Sequence, residues 1–152
     1  MPNIILPEHG SSTAMTITLA SLANGSAQQP TMVNNLNVGS LVHLYFLVTT
    51  GTSPTLNSLI EFYLLCGDDP ASSNIRTDNA GASDAAITIV SADQVFAQAV
   101  SASSNVSYRN KFSFLTPGPE WGIAVKNSTG VALNATGSNH ALRYVTENFE
   151  IQ

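Results

Sequence analysis

The sequence predicts an all-β domain, an antiparallel β-sandwich or jelly roll of about eight strands. Three observations carry that prediction. Short apolar runs rich in β-branched and aromatic residues recur along the chain, several alternating with polar residues at period 2. Gly, Pro, Asn and Asp separate these runs, as turns require. No segment has clear 3.6-residue periodicity, and no repeat has the fixed period of a solenoid or propeller.

The elements follow in order. Residues 1–13 hold two prolines, a glycine and paired serines, and read as an extended arm, not a folded element. Residues 14–152 make up the sandwich domain. Met15, Ile17 and Leu19 alternate with Thr16 and Thr18, the pattern of a half-buried strand, and Asn24-Gly25 marks a turn. Residues 31–38 are a weaker strand candidate. Residues 41–48 and 59–65 are nearly continuous apolar runs and are expected as the central strands. A long polar stretch, residues 67–84, carries Asp68, Asp69, Asp78 and Asp84. Further strands are expected over 85–91, 95–100, 108–115, 121–126 and 141–146. Within 108–115, Phe112 and Phe114 point one way and Lys111 and Ser113 the other. Residues 91–102 admit a helix capped by Asp93, but Val95, Ala97 and Ala99 fit a strand better.

Composition bounds the function. A chain of 152 residues suffices for one domain with a real core. Only 10% of residues are charged, against about 25% in typical domains, so Ser, Thr, Asn and Gln build the polar surface. Such a surface suits a protein packed against partners. The five basic residues are Arg76, Arg109, Lys111, Lys126 and Arg143, and only Arg109 and Lys111 are close in sequence. With no Lys/Arg cluster to displace phosphate counterions, no direct nucleic-acid binding is expected. The single cysteine, Cys66, excludes an intrachain disulfide, fits a reducing compartment and reads as a small buried hydrophobe. Neither a signal peptide nor a membrane span is expected.

Catalytic and metal patterns are absent at the level of local spacing. No Gly-x-Ser-x-Gly elbow occurs, and His9, His43 and His140 form no His-x-x-x-His pair. His43, inside an apolar strand, reads as a satisfied core or interface histidine rather than a ligand. Asp68, Asp69, Asn74, Asp78 and Asn79 have the hard oxygens calcium prefers, but not the EF-hand spacing, so a solvated acidic loop is the plainer reading. Trp121 with Tyr63 resembles a sugar-stacking pair, yet a lone Trp opening an apolar strand is more often core. Four Asn-x-Ser/Thr triplets, at Asn24, Asn105, Asn127 and Asn134, match chance in so Asn- and Ser-rich a chain. No enzyme, cofactor or metal is expected, although a fold can assemble distant residues.

Three segments are similar to a known group. They are Thr18-Leu19-Ala20-Ser21-Leu22-Ala23-Asn24-Gly25-Ser26-Ala27 with Val42-His43-Leu44; Thr49-Thr50-Gly51-Thr52-Ser53-Pro54-Thr55 with Ile60-Glu61-Phe62-Tyr63-Leu64-Leu65; and Gly118-Pro119-Glu120-Trp121-Gly122-Ile123-Ala124-Val125 with Gly130-Val131-Ala132-Leu133-Asn134. Together they resemble small virion structural proteins of tailed bacteriophages, of the capsid decoration (cement) type, from about Met15 onward. The resemblance implies a jelly-roll-like fold, a homo-oligomer (a trimer is preferred), the major capsid protein and other virion proteins as partners, and a place on the phage head after synthesis in the host cytoplasm. A collar, tail or fibre-attachment protein of the same fold, or a carbohydrate-binding module, are the alternatives. No site residues carry over. An arm suits such a role because it can lie on a neighbour or add a strand to it. Pro2, Asn3, Ile4, Ile5, Leu6 and Pro7 are therefore the expected interface residues.

Overall fold

The computed structural model describes residues 5–35, 41–70, 75–91, 94–115 and 118–151, with the backbone alone for 5–7 and 149–151. Its strands are β1 (Ile5–His9), β2 (Thr13–Met15), β3 (Ala27–Gln29), β4 (Val33–Asn34), β5 (Leu41–Thr49), β6 (Leu59–Gly67), β7 (Ala85–Ile87), β8 (Gln94–Ala99), β9 (Ser107–Leu115), β10 (Glu120–Ser128) and β11 (Ala141–Ile151). The helical content among the described residues is two 3-10 turns, at Thr77–Asn79 and Gly137–Asn139. No helix there is long and apolar enough to cross a membrane.

All pairing is antiparallel, in two sheets. The first has the order β1-β11-β5-β9, with β2 also on β11; the second has β7-β3-β10-β6-β8, with β4 also on β10. Two interruptions reduce eleven strands to nine. Between the pairs His9↔Glu147 and Thr13↔Tyr144, three residues of one strand oppose two of the other. Between Gln28↔Val125 and Val33↔Trp121, four oppose three. Each is a one-residue bulge, so β1–β2 and β3–β4 are two kinked strands. With β7 set aside as an insertion, eight strands remain, nested as in a rolled-up hairpin. The first pairs with the last (β1–β2 with β11), the second with the seventh (β3–β4 with β10), the third with the sixth (β5 with β9) and the fourth with the fifth (β6 with β8). That nesting is the jelly roll.

Residues 1–13 are thus not wholly an arm. Ile5, Leu6 and Pro7 belong to a strand on β11, and Pro2, Asn3 and Ile4 lie outside the described residues. Gly10 N donates to Thr146 O, so by the period of two, positions 8 and 6 turn their N–H groups to β11. Pro7 faces the open edge, where a missing donor costs no ladder bond. The opposite departure occurs next. Met15 and Leu19 are buried and Thr16 and Thr18 exposed, as alternation requires, yet the ladder stops at Met15. Burial there is organised by side chains without a strand partner. Of residues 31–38, only Val33–Asn34 are strand, and 36–40 lie outside the described residues. Residues 94–99 are strand, as alternation predicts.

The core lies between the sheets. Val42, Leu44, Phe46 and Val48 of β5 face Ile60, Phe62 and Leu64 of β6 and Trp121, Ile123 and Val125 of β10. Aromatic rings link the layers: Phe46 and Phe62 have centroids 4.5 Å apart, and Trp121 meets Phe114 and Tyr144 edge-on at 5.5 and 5.1 Å. Trp121 is fully buried, so it is core and not a sugar platform.

The stretch 67–84 is largely exposed, as expected of an acidic loop, but Ala80 and the segment that follows it form a third layer. Ala80, with Ile87 and Ile89 from the region expected as a strand over 85–91, packs with Met32 over Leu65, Ala124 and Tyr63, on the outer face of the second sheet. Gln29, buried at 2% exposure, fixes it: its Nε2 donates to Gly81 O and Ser83 O, and its Oε1 accepts from Gly81 N. Arg76 forks onto Glu120 of β10 through Nε and Nη2. This layer explains why residues 121–125 do not alternate. Trp121, Ile123 and Val125 face the core, while Gly122 and Ala124 lie under the loop layer. A Cβ on Gly122 would come within 2.7 Å of Met32 Sδ and 3.0 Å of Pro30 Cγ.

Candidate functional site

Asp68, Asp78 and Asp84 of the loop tie the chain to itself. Asp78 Oδ1 accepts from Val90 N and Ser91 N, Asp84 from Thr18 Oγ1 and Gln28 Nε2, and Asp68 Oδ1 from Ile75 N. Backbone and side-chain donors thus take up an oxygen of each, while Asp78 Oδ2 is buried without a hydrogen-bond partner; among the described residues no three of these carboxylates converge as metal ligands would. Asn74 lies outside the described residues. A cavity of about 770 Å³ opens beside them, lined in part by Cys66, Arg76, Thr77, Asp78 and Ser91. Cys66 itself is half-buried against the main core, and its N–H donates to Thr77 Oγ1. Tyr63 packs beneath the layer, and burial with a hydrogen bond to Glu61 pushes its phenol up to about 12. Of the Asn-x-Ser/Thr positions, Asn127 is fully buried with its amide satisfied by Leu22 O, Val131 O and Thr129, and Asn134 bonds Asn105 across two loops.

The first sheet presents a different outer face. Its outward residues are Leu41, His43, Tyr45 and Leu47 on β5, Arg109, Lys111 and Ser113 on β9, and Arg143, Val145 and Glu147 on β11. Register sets Tyr45 opposite both Lys111 and Arg143, and Leu47 opposite Arg109. Three of the chain's five basic side chains therefore share one face, although the sequence scatters them. Among the described residues none of the three has an ion-pair partner; Arg143 donates to Ser12 Oγ and Ser12 O. They border a shallow, mostly apolar depression with Tyr45 and Leu47.

Along the same face, three adjacent strands bring His9, Glu147 and His43 together. His43 Nε2 lies 3.0 Å from Glu147 Oε2, and His9 Nδ1 lies 3.3 Å from the same oxygen. The ligand-type atoms of all three side chains fall within 4.8 Å of one another. Ser113 Oγ on β9 sits 2.8 Å from His43 Nδ1. His43 and Glu147 are largely buried, with side-chain exposures of 15% and 12%, while His9 is 62% exposed. A Ser–His–carboxylate chain also occurs in hydrolases, but there the serine bonds Nε2 and the acid Nδ1. Here the assignment is reversed, and Ser113 stands exposed on an open sheet.

Local spacing could not reveal this cluster, because its members are 34 and 104 residues apart and meet only through strand register. The readable signal was parity: His43 falls on the outward side of an otherwise apolar strand. His140, just ahead of β11, is separate. Its Nε2 faces Asn134 O at 2.8 Å and its Nδ1 faces Thr49 N at 3.4 Å, and burial lowers its pKa. No protein-family model matches the chain, and neither a curated protein nor a solved structure shows significant similarity to it.

Proposed function

We propose that this chain is a non-enzymatic virion structural protein, a capsid decoration (cement) protein that binds the outer surface of a bacteriophage head. One observation carries the reading. β5 is a continuous apolar run at the centre of its sheet, and strands of that composition are ordinarily covered on both faces. Its inner residues meet the core, but no element among the described residues covers Tyr45, which is 45% exposed, or its neighbour Leu47. The exposed face supplies the surface a partner would cover. Four strands about 4.8 Å apart and nine residues long, at about 3.3 Å each, span roughly 30 by 19 Å. That is of the order of one side of a standard interface, about 800 Å².

The partner is the major capsid protein, with other virion proteins as neighbours. Arg109, Lys111 and Arg143 favour an acidic counterpart, since complementary charge speeds and orients docking. A homo-oligomer, preferably a trimer, matches the rotational symmetry of capsid axes. Each contact across a capsomer boundary adds free energy that resists the pressure of packaged DNA. The lone Cys66 fits assembly in the host cytoplasm.

The test adds purified protein to expanded capsids. Saturable binding at hundreds of copies per particle and a raised capsid melting temperature are expected. Failure to co-sediment, with no change in capsid stability, overturns the proposal. A reconstruction showing only a few copies would assign the chain to a collar, tail or fibre attachment instead.

A further inference from the structure

We infer that His9, His43 and Glu147 form a binding site for a divalent first-row transition ion, zinc being the natural probe, which ties the N-terminal strand across β11 to β5. The inference is independent of the virion reading. Two imidazoles and one carboxylate are the ligand set of three-ligand zinc sites, whereas magnesium and calcium prefer oxygen alone.

The distances fit. In a tetrahedral site with bonds of about 2.0–2.1 Å, neighbouring ligand atoms lie about 3.3 Å apart. His43 Nε2 and His9 Nδ1 stand 3.0 and 3.3 Å from Glu147 Oε2. The three ligating atoms lie within 4.8 Å of one another, and His9, exposed on an edge strand, has the freedom to complete the cluster. The outer contact is also in place. A ligating histidine ordinarily donates its second N–H to a hydrogen-bond acceptor, which fixes the tautomer. Ser113 Oγ lies 2.8 Å from His43 Nδ1 and can take that bond, leaving the Nε2 lone pair for the metal. Because His9 is exposed, the fourth position opens outward, to water or to a donor from a partner.

The experiment uses the full chain without an affinity tag, stripped with a chelator and titrated with Zn²⁺ by calorimetry. One ion per chain is expected. Free zinc at a hundredfold excess over Kd should raise Tm by roughly 5–10 °C. Co²⁺ in place of zinc should give the visible absorption of a tetrahedral site. His9→Gln, at a side chain that is 62% exposed, and Glu147→Gln should abolish both signals. Ser113→Ala should weaken binding by about tenfold or more. Cys66→Ser should leave binding intact. The inference is overturned by absence of binding, by equal binding in His9→Gln, or by one ion shared among several chains.

Discussion

The two sheets of the roll resemble each other inside and differ outside. Each has a largely apolar strand away from its edges, β5 in one and β10 in the other. β10 is buried on both faces because the chain covers its outer side: Gly122 leaves room for Met32 and Pro30 of the β3–β4 link, and Ala124 packs with Met32, Leu65 and Ala80. β5 has bulkier outward residues, Tyr45 among them, and no cover among the described residues. The outer face of the second sheet is thus covered from within the chain, whereas among the described residues that of the first is not, and there lie three basic side chains and the His9–His43–Glu147 cluster.

The largest expected contrast is between Leu65, fully buried beneath the loop layer, and Tyr45 on the open face. Leu65→Ala should lower unfolding free energy by about 2–5 kcal/mol in urea titrations. Tyr45→Ala should stay within about 0.5 kcal/mol, yet weaken capsid binding strongly. A large stability loss at Tyr45 would mean that the chain itself covers this face.

Adding bulk beneath the layer comes next. Gly122→Val should cost about 1–3 kcal/mol from overpacking against Met32 and Pro30, read as a lower urea midpoint at unchanged slope. Gln29→Ala should cost about 1–3 kcal/mol, because it removes the buried side chain that holds Gly81 and Ser83 through three hydrogen bonds. Hydrogen exchange should accelerate at Gly81 and its neighbours while β5 stays protected. Exchange that rises equally in both sheets would show that the layer is not a separable unit.

The smallest effect is expected away from both faces. His140 is held neutral, mainly by burial, with its folded pKa below the ordinary 6.5. A proton on Nδ1 would confront the Thr49 N–H. The unfolded chain therefore binds the extra proton more readily. Stability from this residue is full above about pH 6.5 and declines as pH falls through the lowered folded value. His140→Gln should flatten that part of the stability curve; an unchanged slope would exclude His140 as its source.

Much of the fold was legible. The apolar runs at 41–48 and 59–65 correctly mark strands, and alternation at Phe112 and Phe114 marks both a strand and its inward side. Eight strands is the right number once two bulges and one inserted strand are recognised, and bulges leave no reliable trace in composition. The packing of the 67–84 loop on the second sheet is not legible, because its charged residues point to solvent and a single small residue, Ala80, joins it to the layer that Ile87 and Ile89 continue. The face with His9, His43, Glu147 and the three cations was invisible for another reason. Strand register is a long-range property, and neither net charge nor local spacing encodes which distant residues come opposite one another.

The nested pairing also has a consequence for how the molecule is made. β11, the last strand to leave the ribosome among those described, occupies the middle of its sheet between β1–β2 and β5. Until residues 141–151 emerge, the edge of β5 and the N-terminal strands have nothing to pair with, while β3, β6, β8 and β10 already have their ladder partners. Folding should therefore close late and slowly, as nonlocal topologies do. A ribosome stalled just short of β11 would display one half-sandwich with an apolar underside, which is the species a chaperone would meet.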